Sequence, residues 1–513
     1  MIILVLNIGL KNARCIAFSD EGELVAQYSK PVHTFVSDDK VEQDPREWIS
    51  LTTEVIGSVL TLLGEKKSQI EYLTVTTSAS CLVNVDSSCE PIHKSILVSD
   101  TRSTLESELI SNWSEFNELS KEGAKSSPDL MAPKILWIKK NKPDWFARSS
   151  KFLNIGDFIN AKLTGRYITD PNNAQKFFYS TNRKKYPTEL LEKIGISSEN
   201  LPNVGEIGEV IGSIRSEFKE KLGFKKDCKV VLSTYDALAS VVGSGGFNNG
   251  DAVDISGTVT SFRVTTDQKV IDHKKQIYTN PHFSPGMWLV GGSNNLGGGI
   301  IEWLKNLYYG DYDNPYSTME IEAQSANHCP GGLIFLPHLL GERAPIWDPG
   351  CRGVFFGINR AHDRKDFTRA VFEGIAYSVN HISLAVSRLG IDINNVTVAG
   401  GLSQIGLVNQ IKADVLGVPI RKYDSYETTS IGAALIALIG LNKYKDYEDG
   451  FHNFCSLEKV YEPRQSLHQV YSEFFDLYLK VYHSLSDCYI ERLKVLEKNY
   501  SNGVKELRLT DNL

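Results

Sequence analysis

Residues 229–258 read KVVLSTYDALASVVGSGGFNNGDAVDISGT, and the fold is decided there. Val230, Val231 and Leu232 form an apolar run of strand length. The run delivers Asp236 to a turn, and 237–242 then read as the first turns of a helix. A glycine-rich joint follows at 243–250. A second strand, 252–255, runs straight into Ser256-Gly257-Thr258. One carboxylate therefore stands at the C-terminal end of a strand, where ligands collect in open α/β folds. A small polar turn stands beyond the joint. The pattern predicts Asp236 as a catalytic base and the Gly257 turn as a phosphate holder. Asp236 suits equally well the cap of its own helix.

Working outward, 2–6, 13–18 and 23–28 read as a β-meander, with turns at 7–12 and 20–22. Residues 45–63 read as a helix, with Asp44 at the N-cap and Pro45 at the first position. Strands follow at 72–76 and 81–85. Helical stretches fill much of 102–164, with breaks at Pro128 and Pro133, and KILWIK at 134–139 begins an amphipathic helix. Beyond the joint, strands are expected at 253–255, 261–265 and 287–290, then a glycine turn at 291–299 and a helix from Ile300. Later elements are a helix at 369–389, a strand at 395–398, the turn 399–401, a helix at 407–416, a strand at 420–422 and a helix from 427–430 to Ile439. Each half opens with strand, glycine turn, strand, and continues with α/β units. This predicts two α/β domains of similar topology facing a cleft, hinged near 246–251. The expected divisions are 1–246, 247–465 and a C-terminal helix and tail at 466–513, the helix running over 466–497 and the tail loosely held.

A chain of 513 residues exceeds one ordinary core. Apolar residues make up 42% and charged residues 23%, as in a globular protein. The net charge of -7, with no long basic run, excludes nucleic acid as the main partner. The opening MIILVLNIGLKNARCIAF has no basic leader, and its apolar run stops at Leu6, too short for a secretory segment or a membrane span. The eight cysteines are scattered without a C-x-x-C pair, and the eleven histidines are dispersed. That is the usage of reduced buried thiols, not of a disulfide framework or a metal cage, and it predicts a cytoplasmic protein.

Several segments resemble the FGGY family of carbohydrate kinases. GVFFGINRAHDRKDFTRAVFEG, 353–374, fits that family's second signature throughout. GERAPIWDPGCRG just before it looks like the loop of the xylulose and gluconate kinase branch. VEQDPREW at 41–48, SDTRS at 99–103, APKILWIKKNKP at 132–143 and AGGLSQIGLVNQIKADVLGVPI at 399–420 follow in the family's order, and the likeness spans roughly 1–485.

The resemblance implies two actin-like ATPase domains, of ribonuclease H-like topology, closing on ATP in the cleft. It puts Asp236 on the catalytic base and Gly257 and Thr258 on the hairpin that touches the phosphates. Gly298 and Glu302 fall on an ATP-contacting helix start, and Gly400 and Gly401 on the adenosine turn. Asn7, Gly9 and Lys11 fall on the first phosphate loop. Asn7 stands where the family has an aspartate organising Mg²⁺ and its waters, so a water-mediated metal contact through a neutral amide is implied, or else a plain turn residue. Leu10 replaces the usual Thr or Ser. Thr77-Ser78-Ala79-Ser80-Cys81 replaces the Q-R-E of glycerol kinases and the Q-M-H-G of xylulose kinases. Ser78, Ser80 and Asp100, with Asp236, are left to hold the sugar; Asp100 also suits the N-cap of the helix that follows. Glycines at these turns admit anionic oxygens to backbone amides, though each also suits an ordinary tight turn. The expectation is an ATP- and Mg²⁺-dependent, xylulokinase-like sugar kinase acting on a small-molecule sugar, with a homodimer allowed and neither nucleic acid nor membrane as partner. The alternative is a catalytically weak relative that binds nucleotide or sugar.

Overall fold

Strand Ile2–Ile8 (β1) is apolar at every position but Asn7, because it is buried on both faces. A run without alternation belongs in a sheet interior. In the computed structural model, which describes residues 1–500 except 38, 225, 285, 425 and 426, β1 lies at the centre of a six-stranded sheet. It pairs antiparallel with Asn12–Ser19 (β2), which pairs antiparallel with Leu24–Pro31 (β3). On its other side β1 pairs parallel with Ile70–Thr77 (β4). The sheet order is completed by Val210–Ser213 (β5) and Lys229–Leu232 (β6), giving β5-β6-β4-β1-β2-β3. Helix Pro45–Leu63 starts as the sequence predicts: Asp44 is the N-cap and accepts the Arg46 N–H, and Pro45 takes the first turn.

The chain divides into two units. The first comprises 1–251, 265–290 and 423–458; the second comprises 252–264, 291–422 and 459 onward. A second, seven-stranded sheet contains Asp251–Ser256 (β7), Thr260–Thr266 (β8), Trp288–Asn294 (β9), Asn395–Ala399 (β10) and Ile420–Tyr423 (β11), in the order β9-β8-β7-β10-β11. In the first sheet β3-β2-β1-β4-β6 has the same arrangement: a meander, then later strands added beside its first member. The repeat of topology expected from the order of elements is present.

Several details differ from expectation. Glycines 243–250 do not read as an unattached joint. The N–H of Gly250 donates to Thr265 O, and Gly246 O accepts the Thr265 hydroxyl. A Cβ on Gly243 would lie 1.8 Å from Thr428 O, and one on Gly432 1.8 Å from Ala239 O. These glycines let helices Asp236–Val242 and Thr428–Gly440 touch backbone to backbone within the first unit. The helix expected at 369–389 is Arg364–Ser387, set earlier by the Asp363–Asp366 capping box. The single helix expected at 466–497 is two, Gln465–Ser484 and Ser486–Tyr500, and the tail expected at 501–513 lies outside the described residues. Among the described residues no helix is long and apolar enough to cross a membrane.

Candidate active site

The first unit gathers three strand ends. Register sets Asn7 of β1 beside Thr76 of β4 and Arg14 of β2. Just past β4, the N–H of Ser78 donates to Ile8 O at 3.1 Å. Strand β6 lies on the far side of β4, and the Thr76 hydroxyl donates to Thr234 O at 2.9 Å, fixing the segment that leads to Asp236. Ser78 Oγ then donates to Asp236 Oδ2 at 3.1 Å, and the N–H of Ala237 donates to Oδ1 at 2.7 Å. Asp236 is not the helix cap: Tyr235 holds that place without a side-chain bond, and Asp236 is the first helical residue. Its carboxyl is half-buried, and desolvation pushes its pKa up to about 6 against the two hydrogen bonds, which favour the ionised form. A carboxylate so tuned is ionised at neutral pH and a better proton acceptor than an ordinary aspartate.

The other residues of the first unit divide. Gly9 turns the chain, its N–H donating to Asn12 O at 2.9 Å, and Lys11 is exposed. Asn7 Oδ1 is buried and has no hydrogen-bond partner among the described residues. Ser80 is buried, with a φ of 60°. Asp100 is fully committed elsewhere. Oδ1 accepts from the N–H and Nε of Arg102 at 3.1 and 2.8 Å; Oδ2 accepts from the second guanidinium nitrogen at 2.6 Å and from the Val41 N–H at 2.7 Å. Arg102 also reaches Glu42 at 2.7 Å. Nor does Asp100 cap a helix, since Ser103 precedes helix Thr104–Ser111. The Asp-x-Arg spacing in SDTRS was the available signal for this buried pair.

The second unit assembles its own turns. Gly298 N–H donates to Gly257 O at 2.8 Å, and Gly297 N–H donates to Thr258 O at 2.8 Å. A Cβ on Gly298 would lie 2.7 Å from Gly257 O. Gly400, at a φ of 83°, packs against the same turn: a Cβ there would lie 2.6 Å from Ser256 O. Gly257, Thr258, Gly298 and Gly400 are thus one cluster at the ends of β7 and β10. Gly257 and Gly401 each have open space where a side chain would stand. That cradle of backbone amides beside the start of helix Gly298–Tyr308 suits a phosphate-bearing ligand such as ATP. Glu302 is turned to Lys305 and Tyr316, which hold its carboxyl below the usual range.

Three supports escaped the sequence reading. Lys412 forms a buried ion pair with Asp254, whose Oδ1 accepts the Ser256 hydroxyl at 2.6 Å directly before the Gly257 turn. Asp170 accepts the Thr234 hydroxyl at 2.9 Å behind Asp236. Lys134 is fully buried in helix Met131–Asn141, whose amphipathic pattern did not single it out. Among the described residues no cluster of three or more His, Cys, Asp or Glu could hold a metal ion. The orphaned Asn7 oxygen fits a magnesium ion held mainly by phosphate and water, which needs no protein cage.

Comparison with known proteins identifies the family. A xylulose kinase of Staphylococcus epidermidis is 25% identical over 486 residues, covering 94% of this chain and 96% of that protein. A gluconokinase of Bacillus subtilis is 23% identical over 462 residues, covering 87% and 89%. The ligand-bound xylulose kinase structure from Lactobacillus acidophilus superposes with a TM-score of 0.88 at 25% identity, covering 96% of this chain and 99% of that one. Residues 2–243 match the family model for the N-terminal domain of FGGY carbohydrate kinases, and residues 252–441 match the model for the C-terminal domain. With both halves of its length so matched, the chain belongs to the FGGY family of carbohydrate kinases.

Proposed function

We propose that this kinase acts on a free monosaccharide or related polyol in the manner of a xylulose or gluconate kinase, with Asp236 as the general base. The observation that carries the reading is the Ser78–Asp236 pair, a carboxylate raised to about 6 at the end of a strand. A sugar hydroxyl is a weak nucleophile, and a carboxylate within hydrogen-bond reach takes its proton as the new bond forms. Bound ATP supplies the phosphoryl group, and the chain's part is to position and to stabilise charge. The Gly257, Gly298 and Gly400–Gly401 turns hold the nucleotide, with Thr258 and Glu302 at its border. Gly9 and Lys11 approach the phosphates, and Asn7 Oδ1 meets a water of Mg²⁺.

Ser78 and Ser80 border the acceptor pocket with small side chains. Asp100 shapes it by holding Arg102 and the Val41 N–H, and any sugar hydroxyl must share oxygens already bonded. No charged side chain stands at 77–81 to order a small triol, so the acceptor is larger than glycerol. The scattered spacing of the eight cysteines, without a C-x-x-C pair, supports a reducing, cytoplasmic compartment. The test is ADP release with ATP, Mg²⁺ and a panel of D-xylulose, D-gluconate, other ketoses and polyols, heptoses and glycerol. Sugar-dependent turnover, with glycerol poor, is expected. Turnover with no member overturns the kinase reading for these acceptors, and glycerol as best substrate overturns the size argument.

A further inference from the structure

We propose that Lys134 is a positioning residue for the phosphoryl acceptor, its ammonium tying together three segments around the Ser78–Asp236 pair; this rests on reading Asp236 as the base. Lys134 is fully buried, and its Nζ donates to Ser80 O at 2.6 Å, Leu97 O at 2.8 Å and Asp129 O at 3.2 Å. An ammonium has three protons, and three carbonyls from three separate stretches receive them. Each stretch bears on the acceptor side. Ser80 lies two residues after Ser78, whose hydroxyl bonds Asp236. Leu97 O also accepts the Asp100 N–H at 3.2 Å. Asp129 leads into the helix that carries Lys134 itself.

A fold that needed only packing here would use leucine or methionine, because a buried ammonium carries a desolvation cost that no apolar side chain has. The node also holds an unfavourable conformation. Ser80 has a φ of 60°, a left-handed region that a serine seldom adopts, and its carbonyl is fixed by the shortest of the three bonds. Cys81, the next residue, lies within electrostatic reach of both Lys134 and Asp236, so node and base share one neighbourhood. The titratable and charged groups facing Lys134 are Cys81, Asp129, Asp100 and Arg102. Burial pushes the lysine down to about 8, the two aspartates oppose that shift and Arg102 adds to it. At neutral pH the ammonium is intact; above about 8 it loses a proton and one of the three carbonyls loses its donor.

The experiment uses the full-length protein, Lys134→Met and Lys134→Gln, with D-xylulose as acceptor, or D-gluconate if that turns over faster. Lys134→Met should raise the acceptor KM by about tenfold or more, the scale of one charge-assisted hydrogen bond, and lower kcat. ADP affinity, read by calorimetry, should stay within about twofold, since one such factor is only a fraction of a kcal/mol. Lys134→Gln, with one amide donor, should fall between. The wild-type acceptor KM should climb above pH 8, a rise absent from Lys134→Met. An unchanged acceptor KM in folded Lys134→Met, an equal loss of ADP affinity, or failure of both variants to fold overturns the positioning role. An active Asp236→Asn variant overturns the base assignment instead, and the acceptor KM of the lysine variants is read independently of it.

Discussion

Ser78 Oγ and Asp236 Oδ2 stand 3.1 Å apart although 158 residues separate them in the chain, because each follows the end of one of two adjacent parallel strands, β4 and β6. The bond sets two properties of the carboxylate at once. It orients Oδ2, and it favours the ionised form against desolvation.

Replacing Asp236 by Asn should lower sugar-dependent turnover by about 10²–10⁴-fold, the usual worth of a general base. The melting temperature should not fall, because a partly desolvated charge has been removed. Steady-state ADP release and a thermal melt decide it.

The pH profile of kcat/KM should show an acid limb near 6, since Asp236 must be ionised to accept a proton and its pKa is raised to about 6. Ser78→Ala removes a hydrogen bond that lowers this pKa, so the limb should move to higher pH. A limb that stays put, or moves down, contradicts the pairing.

In the second unit Gly400→Ala should weaken nucleotide binding and spare the acceptor site. The new Cβ meets Ser256 O and must adopt a φ of 83°, so the Gly257 turn is pushed aside. Left-handed strain alone costs about 1–2 kcal/mol. Isothermal titration with ADP should show affinity falling by about tenfold for 1.4 kcal/mol.

Lys412→Met strands the buried Asp254 carboxylate. Losing one partner of a buried pair costs about 3–5 kcal/mol. Because Asp254 also anchors Ser256, the variant should lose both thermal stability and ADP affinity. Differential scanning calorimetry, followed by titration below the transition, measures both.

Asn7→Asp should lower the Mg²⁺ concentration for half-maximal activity, because Mg²⁺ prefers an anionic oxygen to an amide. A magnesium titration of wild type and variant gives the answer. If Asn7 only serves its turn, the two curves coincide.

What could be read in advance follows from where the causes lie. The placement of Asp236 after a strand and at a helix start was legible because those are local signals, and so was the placement of the Gly257 turn after its strand. The pairing of Asp100 with Arg102 was not, because the sequence offered a sugar contact or a helix cap and no local pattern by itself specified the ion pair. Lys134 sits in a helix whose pattern is amphipathic, yet its partners at 80 and 97 come from other loops. Gly243 looked like flexibility. Its missing side chain instead admits Thr428 O, a contact that no local window contains.

That contact bears on how the protein is made. Asp236 leaves the ribosome long before Thr428. Until Thr428–Gly440 follows, Ala239 and Val242 lack the cover that Ile431 and its neighbours provide in the finished core. The helix that Asp236 begins therefore stays uncovered until late in translation. A chain cut short anywhere between 251 and 428 would carry every acceptor-side residue named above and still present its helix uncovered, a target for chaperones and proteases.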